Sequence, residues 1–130
     1  QIKNEEKCKL FEGSDNYKSG EQKRDFVYVE DCVDVNLWFM KNPSKSGIFN
    51  VGTGSAETFN SVAKNIIDWH KINKNLLSGK ISYINFPNEL KGSYQNFTKA
   101  NINKLNSNGY TKEFTSLNVG INKYLNWLDK

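Results

Sequence analysis

Cysteine, proline, arginine and histidine are all scarce in this chain, and each scarcity narrows what it can be. Cys8 and Cys32 stand far apart, with no zinc-binding or redox-pair spacing. That excludes a disulfide scaffold and fits a reducing cytoplasm. The single histidine, His70, has no cysteine or carboxylate cluster beside it, so no metal centre is expected. No window approaches the roughly eighteen consecutive apolar residues of a membrane-crossing helix. Residues 1–9 are polar and lack the apolar stretch of a secretory leader. Basic clusters are missing too. The lysines are scattered and Arg24 is the only arginine, so the net charge of +4 does not point to nucleic acid. A mild positive field instead favours a phosphate-bearing small molecule.

What the chain does have is enough apolar and aromatic material for one folded domain of 130 residues, with eight Phe, six Tyr and three Trp. Strand and helix signals alternate along it, which predicts an α/β class. A short strand is expected at Lys9–Phe11, then a polar surface loop over Asp15–Glu21. Phe26–Val29 reads as a second strand, and Asp31 as the N-cap of a helix that Asn42-Pro43 ends. Gly47–Val51, apolar and bounded by glycine, reads as a buried strand leading into the turn Gly52-Thr53-Gly54. Thr58 caps the strongest helical pattern, with Phe59, Val62, Ala63, Ile66, Ile67 and His70 on one stripe. After a polar link at Ile72–Lys80, a strand is expected at Ile81–Phe86, stopped by Pro87. Thr98 is expected to cap a short helix carrying Ile102 and Leu105, closed by Asn108-Gly109. A last helix from about Ser116 sets Leu117, Ile121, Tyr124, Leu125 and Leu128 on one face.

Few residues carry chemistry. Gly52-x-Gly54 sits between strand and helix, where backbone N–H groups attract anions. The dinucleotide fingerprint requires a further glycine at the position of Glu57, so a tight turn is the better reading. Arg24 can grip two phosphate oxygens at once or pair with a neighbouring carboxylate such as Asp25, and chemistry alone leaves both open. Phe11-Glu12-Gly13-Ser14 is a strand end breaking into a turn, able to meet a polar ligand. Tyr94, in the loop Leu90–Gln95, can stack on a base or pack as a half-buried aromatic. Asp31 and Asp34 read as a cap and a dipole partner at a helix start, and His70 as a packed helix residue.

Taken together, these segments resemble one group of extended short-chain dehydrogenases/reductases, the ADP-L-glycero-D-manno-heptose 6-epimerase family. Arg24–Asp31 and Asn50–Gly54 are elements shared widely among extended reductases. Phe11–Ser14, Val35–Phe39 and Leu90-Lys91-Gly92-x-Tyr94-Gln95 point to this member. A departure is the extended loop Lys18–Gln22. The resemblance covers nearly the whole chain and implies a carboxy-terminal portion of that fold. Such a portion comprises a small mixed α/β substrate-binding domain and a strand–helix that packs on a Rossmann sheet. Residues 1–130 would be the substrate-binding part. The amino-terminal NADP-binding Rossmann domain, with its glycine-rich loop and Tyr-x-x-x-Lys pair, is absent from the chain, which begins at Gln1. The chain alone is therefore expected to be inactive.

By the same resemblance Phe11, Glu12, Gly13, Ser14, Arg24 and Tyr94 contact an ADP-sugar. The whole enzyme uses NADP to oxidise and re-reduce carbon six of the heptose for lipopolysaccharide core assembly, as a homo-oligomer in the cytoplasm. Two other readings stay open: another nucleotide-sugar epimerase or dehydratase of the extended reductases, and a stand-alone nucleotide or carbohydrate binding module.

Overall fold

The computed structural model describes residues 1–75 and 78–130. A short helix α1 (Ile2–Glu5) leads into strand β1 (Lys7–Phe11). Then come β2 (Lys23–Arg24), α2 (Val29–Lys41), β3 (Glu57–Thr58) and α3 (Phe59–Lys74). The chain closes with β4 (Lys80–Ile84), a 3₁₀ turn at Asn88–Leu90, α4 (Asn103–Ser107) and α5 (Leu117–Leu128). β1 and β4 pair in parallel from Lys7 opposite Lys80 to Phe11 opposite Ile84, while β2 and β3 form an antiparallel pair with Arg24 opposite Glu57. The class is mixed α/β, as the alternating pattern predicts.

Two cores hold these elements. In the first, Cys8, Ala63 and Ile67 are buried between β1 and α3, with Leu10, Ile66 and Ile81 packed around them. In the second, Val35 of α2, Leu105 of α4 and Tyr110 are buried beneath Trp38, Phe39, Phe49 and Phe114. The apolar stripe of α3 therefore lies where its spacing places it. Thr58 caps that helix, its Oγ1 accepting the Ser61 N–H at 2.9 Å. The indole N–H of Trp69 donates to Asn126 Oδ1 at 3.0 Å and ties α3 to α5, which starts at the expected place.

Several expectations need correction. Phe26–Val29 is not a strand. The ladder forms one step earlier, at Lys23–Arg24, where β3 supplies a partner, and Val29 already belongs to α2. Asp31 is not the cap. Tyr28 holds that position, and the Asp31 carboxylate, inside the first turn, accepts the Thr115 N–H at 2.8 Å and the Thr115 hydroxyl at 2.9 Å. Gly47–Val51, expected as the strand that packs on a Rossmann sheet not in this chain, pairs with no strand among the described residues, and Ile48 is 89% exposed. An apolar run becomes a strand only where a neighbour takes up its backbone N–H and C=O groups. Thr98 caps no helix. Its N–H donates to the Lys23 carbonyl, and α4 begins five residues later, behind Ile102. β1 starts two residues before the expected Lys9, and β4 ends at Ile84, before Phe86. α3 takes in the first residues of the link expected at Ile72–Lys80, of which Leu76 and Leu77 lie outside the described residues.

Candidate functional site

The parallel pair positions the site, because β1 and β4 both point their carboxyl ends at it. Beyond the last residue of β1, the Glu12 N–H donates to the Ile84 carbonyl, and the chain then turns sharply. Gly13 is required there, since a Cβ would overlap the Tyr17 carbonyl oxygen. Asp15 and Asn16 follow at φ 48° and 70°, and Tyr17 N–H closes the turn on the Ser14 carbonyl at 2.9 Å. The loop folds back over the start of α3. Gly20 N–H donates to the Phe11 carbonyl, and Asn60 N–H to the Gly20 carbonyl. Gln22, only 2% exposed, donates its side-chain amide to the Glu12 carbonyl at 3.2 Å.

A second loop closes from the other side. Lys23 N–H donates to the Asn96 carbonyl, and Thr98 N–H to the Lys23 carbonyl, so residues 96–98 run beside β2. This holds Tyr94 over the strand ends. Phe11, Phe86 and Tyr94 meet edge to face, with centroids 5.4 Å (Phe11–Phe86), 5.2 Å (Phe86–Tyr94) and 6.3 Å (Phe11–Tyr94) apart. A cavity of about 150 Å³, a size that admits a single ring, is lined by Leu10, Phe11, Gln22, Phe59 and Tyr94 with Lys9 at its edge.

Arg24 flanks this cavity. Its guanidinium carbon sits 5.0 Å from the Tyr94 ring centroid and 5.9 Å from that of Phe59. Nη1 donates to the Lys23 carbonyl at 2.8 Å. Among the described residues no carboxylate lies within ion-pair distance of it. The neighbouring Asp25 points elsewhere. Its Oδ1 accepts the Thr53 N–H at 2.8 Å and the Thr53 hydroxyl at 2.6 Å. Its Oδ2 accepts the N–H groups of Gly54 at 2.9 Å and Ala100 at 3.1 Å. Burial alone would raise the Asp25 pKa, but the Thr53 hydroxyl and the three backbone N–H groups outweigh it and hold the carboxyl below its usual range.

Asp25 also decides what the glycine turn can do. A Cβ on Gly52 would stand 2.6 Å from Ala100 Cβ and 2.8 Å from Asp25 Oδ2, so the glycine serves close packing. The N–H groups of Thr53 and Gly54 are already spent on the protein's own carboxylate. The turn therefore does not fit a dinucleotide pyrophosphate.

Of the six residues singled out in the sequence, Phe11 and Tyr94 line the cavity, and Arg24, outside its lining, lies against the Tyr94 ring. Glu12, Gly13 and Ser14 do not line the cavity. Glu12 is exposed, Gly13 N–H donates to Ser19 Oγ at 3.2 Å, and Ser14 Oγ donates to Asn96 Oδ1 at 3.3 Å. The last contact links the two loops. Sequence reasoning passed over Gln22 and Phe59. Phe59 reads only as the first residue of an apolar helical stripe, and Gln22 carries no signal, being one polar residue in a polar loop. A second groove, about 560 Å³ between residues 26–29, α3 and α5, is lined almost wholly by apolar atoms with no charged residue, and does not suit a phosphate.

The model of the NAD dependent epimerase/dehydratase family matches residues 1–52. Among solved structures, UDP-N-acetylglucosamine 4-epimerase from Methanobrevibacter ruminantium M1, in complex with UDP-N-acetylmuramic acid, is 20% identical with a TM-score of 0.74. That match covers 98% of this chain and 36% of the other. TunA, an NAD dependent NDP-hexosamine 5,6-dehydratase involved in tunicamycin biosynthesis, is 22% identical with a TM-score of 0.68, covering 98% of this chain and 37% of its own. The chain thus spans little more than a third of the length of these structures. Its fold is that of the carboxy-terminal part of an extended short-chain dehydrogenase/reductase.

Proposed function

We propose that this chain is the nucleotide-sugar-binding part of an NAD(P)-dependent epimerase, and that its substrate is an ADP-linked heptose. The observation that carries the binding role is Arg24. It is an always-charged group without a carboxylate partner among the described residues, held against two aromatic rings at a ring-sized cavity. Phe11 and Tyr94 offer ring faces and edges to a base or sugar, and Arg24 offers paired N–H donors to the diphosphate. Glu12, Gly13 and Ser14 shape the loop that follows Phe11. The finer assignment, ADP-L-glycero-D-manno-heptose 6-epimerase, rests on the resemblance of Phe11–Ser14, Val35–Phe39 and Leu90–Gln95 to that family. Hydride transfer at carbon six belongs, in this reading, to the cofactor-binding part of the protein.

A second reading, a UDP-sugar enzyme, draws support from the fold shared with the 4-epimerase in its UDP-sugar complex. Equilibrium binding to the full-length protein separates the two. ADP and ADP-heptose are expected to bind more tightly than UDP and UDP-N-acetylglucosamine, and Arg24→Ala to weaken ADP by about tenfold or more, the loss of a charge-assisted hydrogen-bonded pair. A preference for UDP would overturn the ADP assignment. Unchanged ADP affinity in Arg24→Ala would remove Arg24 from the site.

A further inference from the structure

We propose that Phe59 is a positioning residue for nucleotide binding, acting by holding the Arg24 guanidinium in place; this rests on the reading of Arg24 as the diphosphate ligand. Arginine is a long side chain with many rotamers, and a ligand that must order it loses affinity. Here the order is supplied beforehand. One ring, Tyr94, comes from a loop that follows Pro87. The other, Phe59, is the first residue of α3 and part of the scaffold. Phe59 is itself fixed three times over. Its N–H donates to the Gln22 carbonyl at 3.2 Å, its ring meets Phe26 edge to face at 5.4 Å, and the Thr58 cap sets the turn it opens. The register of β2 against β3 places Arg24 opposite Glu57, two residues before Phe59.

The consequence is a division of labour between the two rings. Tyr94 reaches the guanidinium from a loop, whereas Phe59, at the start of α3, gives it a face set by the scaffold. A cation over a ring face is held by the ring's quadrupole, and no aliphatic side chain of the same volume reproduces that. Phe59 also lines the cavity, so packing and positioning have to be told apart.

The test compares ADP with adenosine, binding to full-length protein, in wild type, Phe59→Leu, Phe59→Met, Phe59→Tyr and Arg24→Gln. Phe59→Leu is expected to weaken ADP about five- to tenfold and adenosine less than twofold, because the guanidinium meets only the phosphates. Phe59→Tyr keeps a ring face and restores ADP binding. Phe59→Met, close to phenylalanine in volume, gives the same comparison should Phe59→Leu not fold. Equal losses for ADP and adenosine would make Phe59 a cavity wall and overturn the proposal, as would unchanged ADP affinity in Phe59→Leu and Phe59→Met. Arg24→Gln keeps the two ideas separate. If it leaves ADP affinity intact, the diphosphate role of Arg24 fails. If it weakens ADP while the Phe59 variants do not, only the role of Phe59 fails.

Discussion

At the scale of single residues, adjacent side chains of opposite charge take separate tasks. Arg24 and Asp25 are neighbours, and from sequence an ion pair between them is as good a reading as any. The backbone decides otherwise. Asp25 turns to the Gly52-Thr53-Gly54 turn and spends its carboxylate on four donors, which leaves Arg24 without a countercharge among the described residues. Asp25 is therefore a structural residue, and Asp25→Asn tests it. An amide puts an NH₂ group where one carboxylate oxygen now accepts backbone N–H groups, so at least one donor loses its partner. The expected loss is about 2–3 kcal/mol in urea unfolding. A change below about 0.5 kcal/mol would show that the turn holds without the charge. Arg24 itself was legible because it is the only arginine. Its aromatic partners were not, since Phe59 and Tyr94 lie 35 and 70 residues away and no local pattern links them to it.

At the scale of elements, the long helices were legible, the strands at Lys7–Phe11 and Lys80–Ile84 were legible to within two residues, and the short β2–β3 pair was not. α3 and α5 carry their own periodicity, and their hydrogen bonds are internal, so sequence alone locates them. A strand needs a partner, and partners are distant. β1 pairs with β4 across more than seventy residues, β2 forms where β3 arrives, and Gly47–Val51 finds no neighbour among the described residues despite having the better strand composition. Asp31 shows the same limit at a helix end. A carboxylate near a helix start reads as a cap until a remote donor, Thr115, claims it. The cap that was read correctly, Thr58, is local by nature. Thr58→Ala should cost about 1 kcal/mol, and Thr58→Ser should lie within a few tenths of wild type, measured by thermal or urea unfolding. Equal stability of Thr58→Ala and wild type would mean that the side-chain oxygen at 2.9 Å from Ser61 N adds nothing beyond solvent. Because α3 opens on Phe59, fraying its first turn also loosens one wall of the cavity.

At the scale of the whole molecule, two small cores share the load, and the only histidine is buried at the margin of one of them. His70 is 4% exposed on α3, with its ring against Trp69 at 4.9 Å. Burial pushes its pKa below the ordinary value. Lys3 pushes the same way, Asp129 opposes it, and Lys74 adds to the lowering. Lys3 and Lys74 both pair with Asp129, whose one negative charge offsets only part of theirs, and desolvation is the largest of the causes. A histidine that resists protonation when folded leaves the unfolded chain as the better proton acceptor. Its contribution is whole above the unfolded pKa of about 6.5 and is lost as pH falls from there toward the lower folded pKa. Asp25 and Asp129 act in the same sense but at lower pH. Their folded pKa values are depressed, so what they contribute persists until the pH drops below about 4. The histidine window opens at a higher pH than the carboxylate one. Thermal midpoints of the wild-type protein are therefore expected to fall between pH 7.5 and 5.5, and those of His70→Gln to stay level across the same interval. The reference is His70→Gln at pH 7.5, which removes any packing loss from the comparison. Parallel slopes for the two proteins would place the acid sensitivity somewhere other than His70.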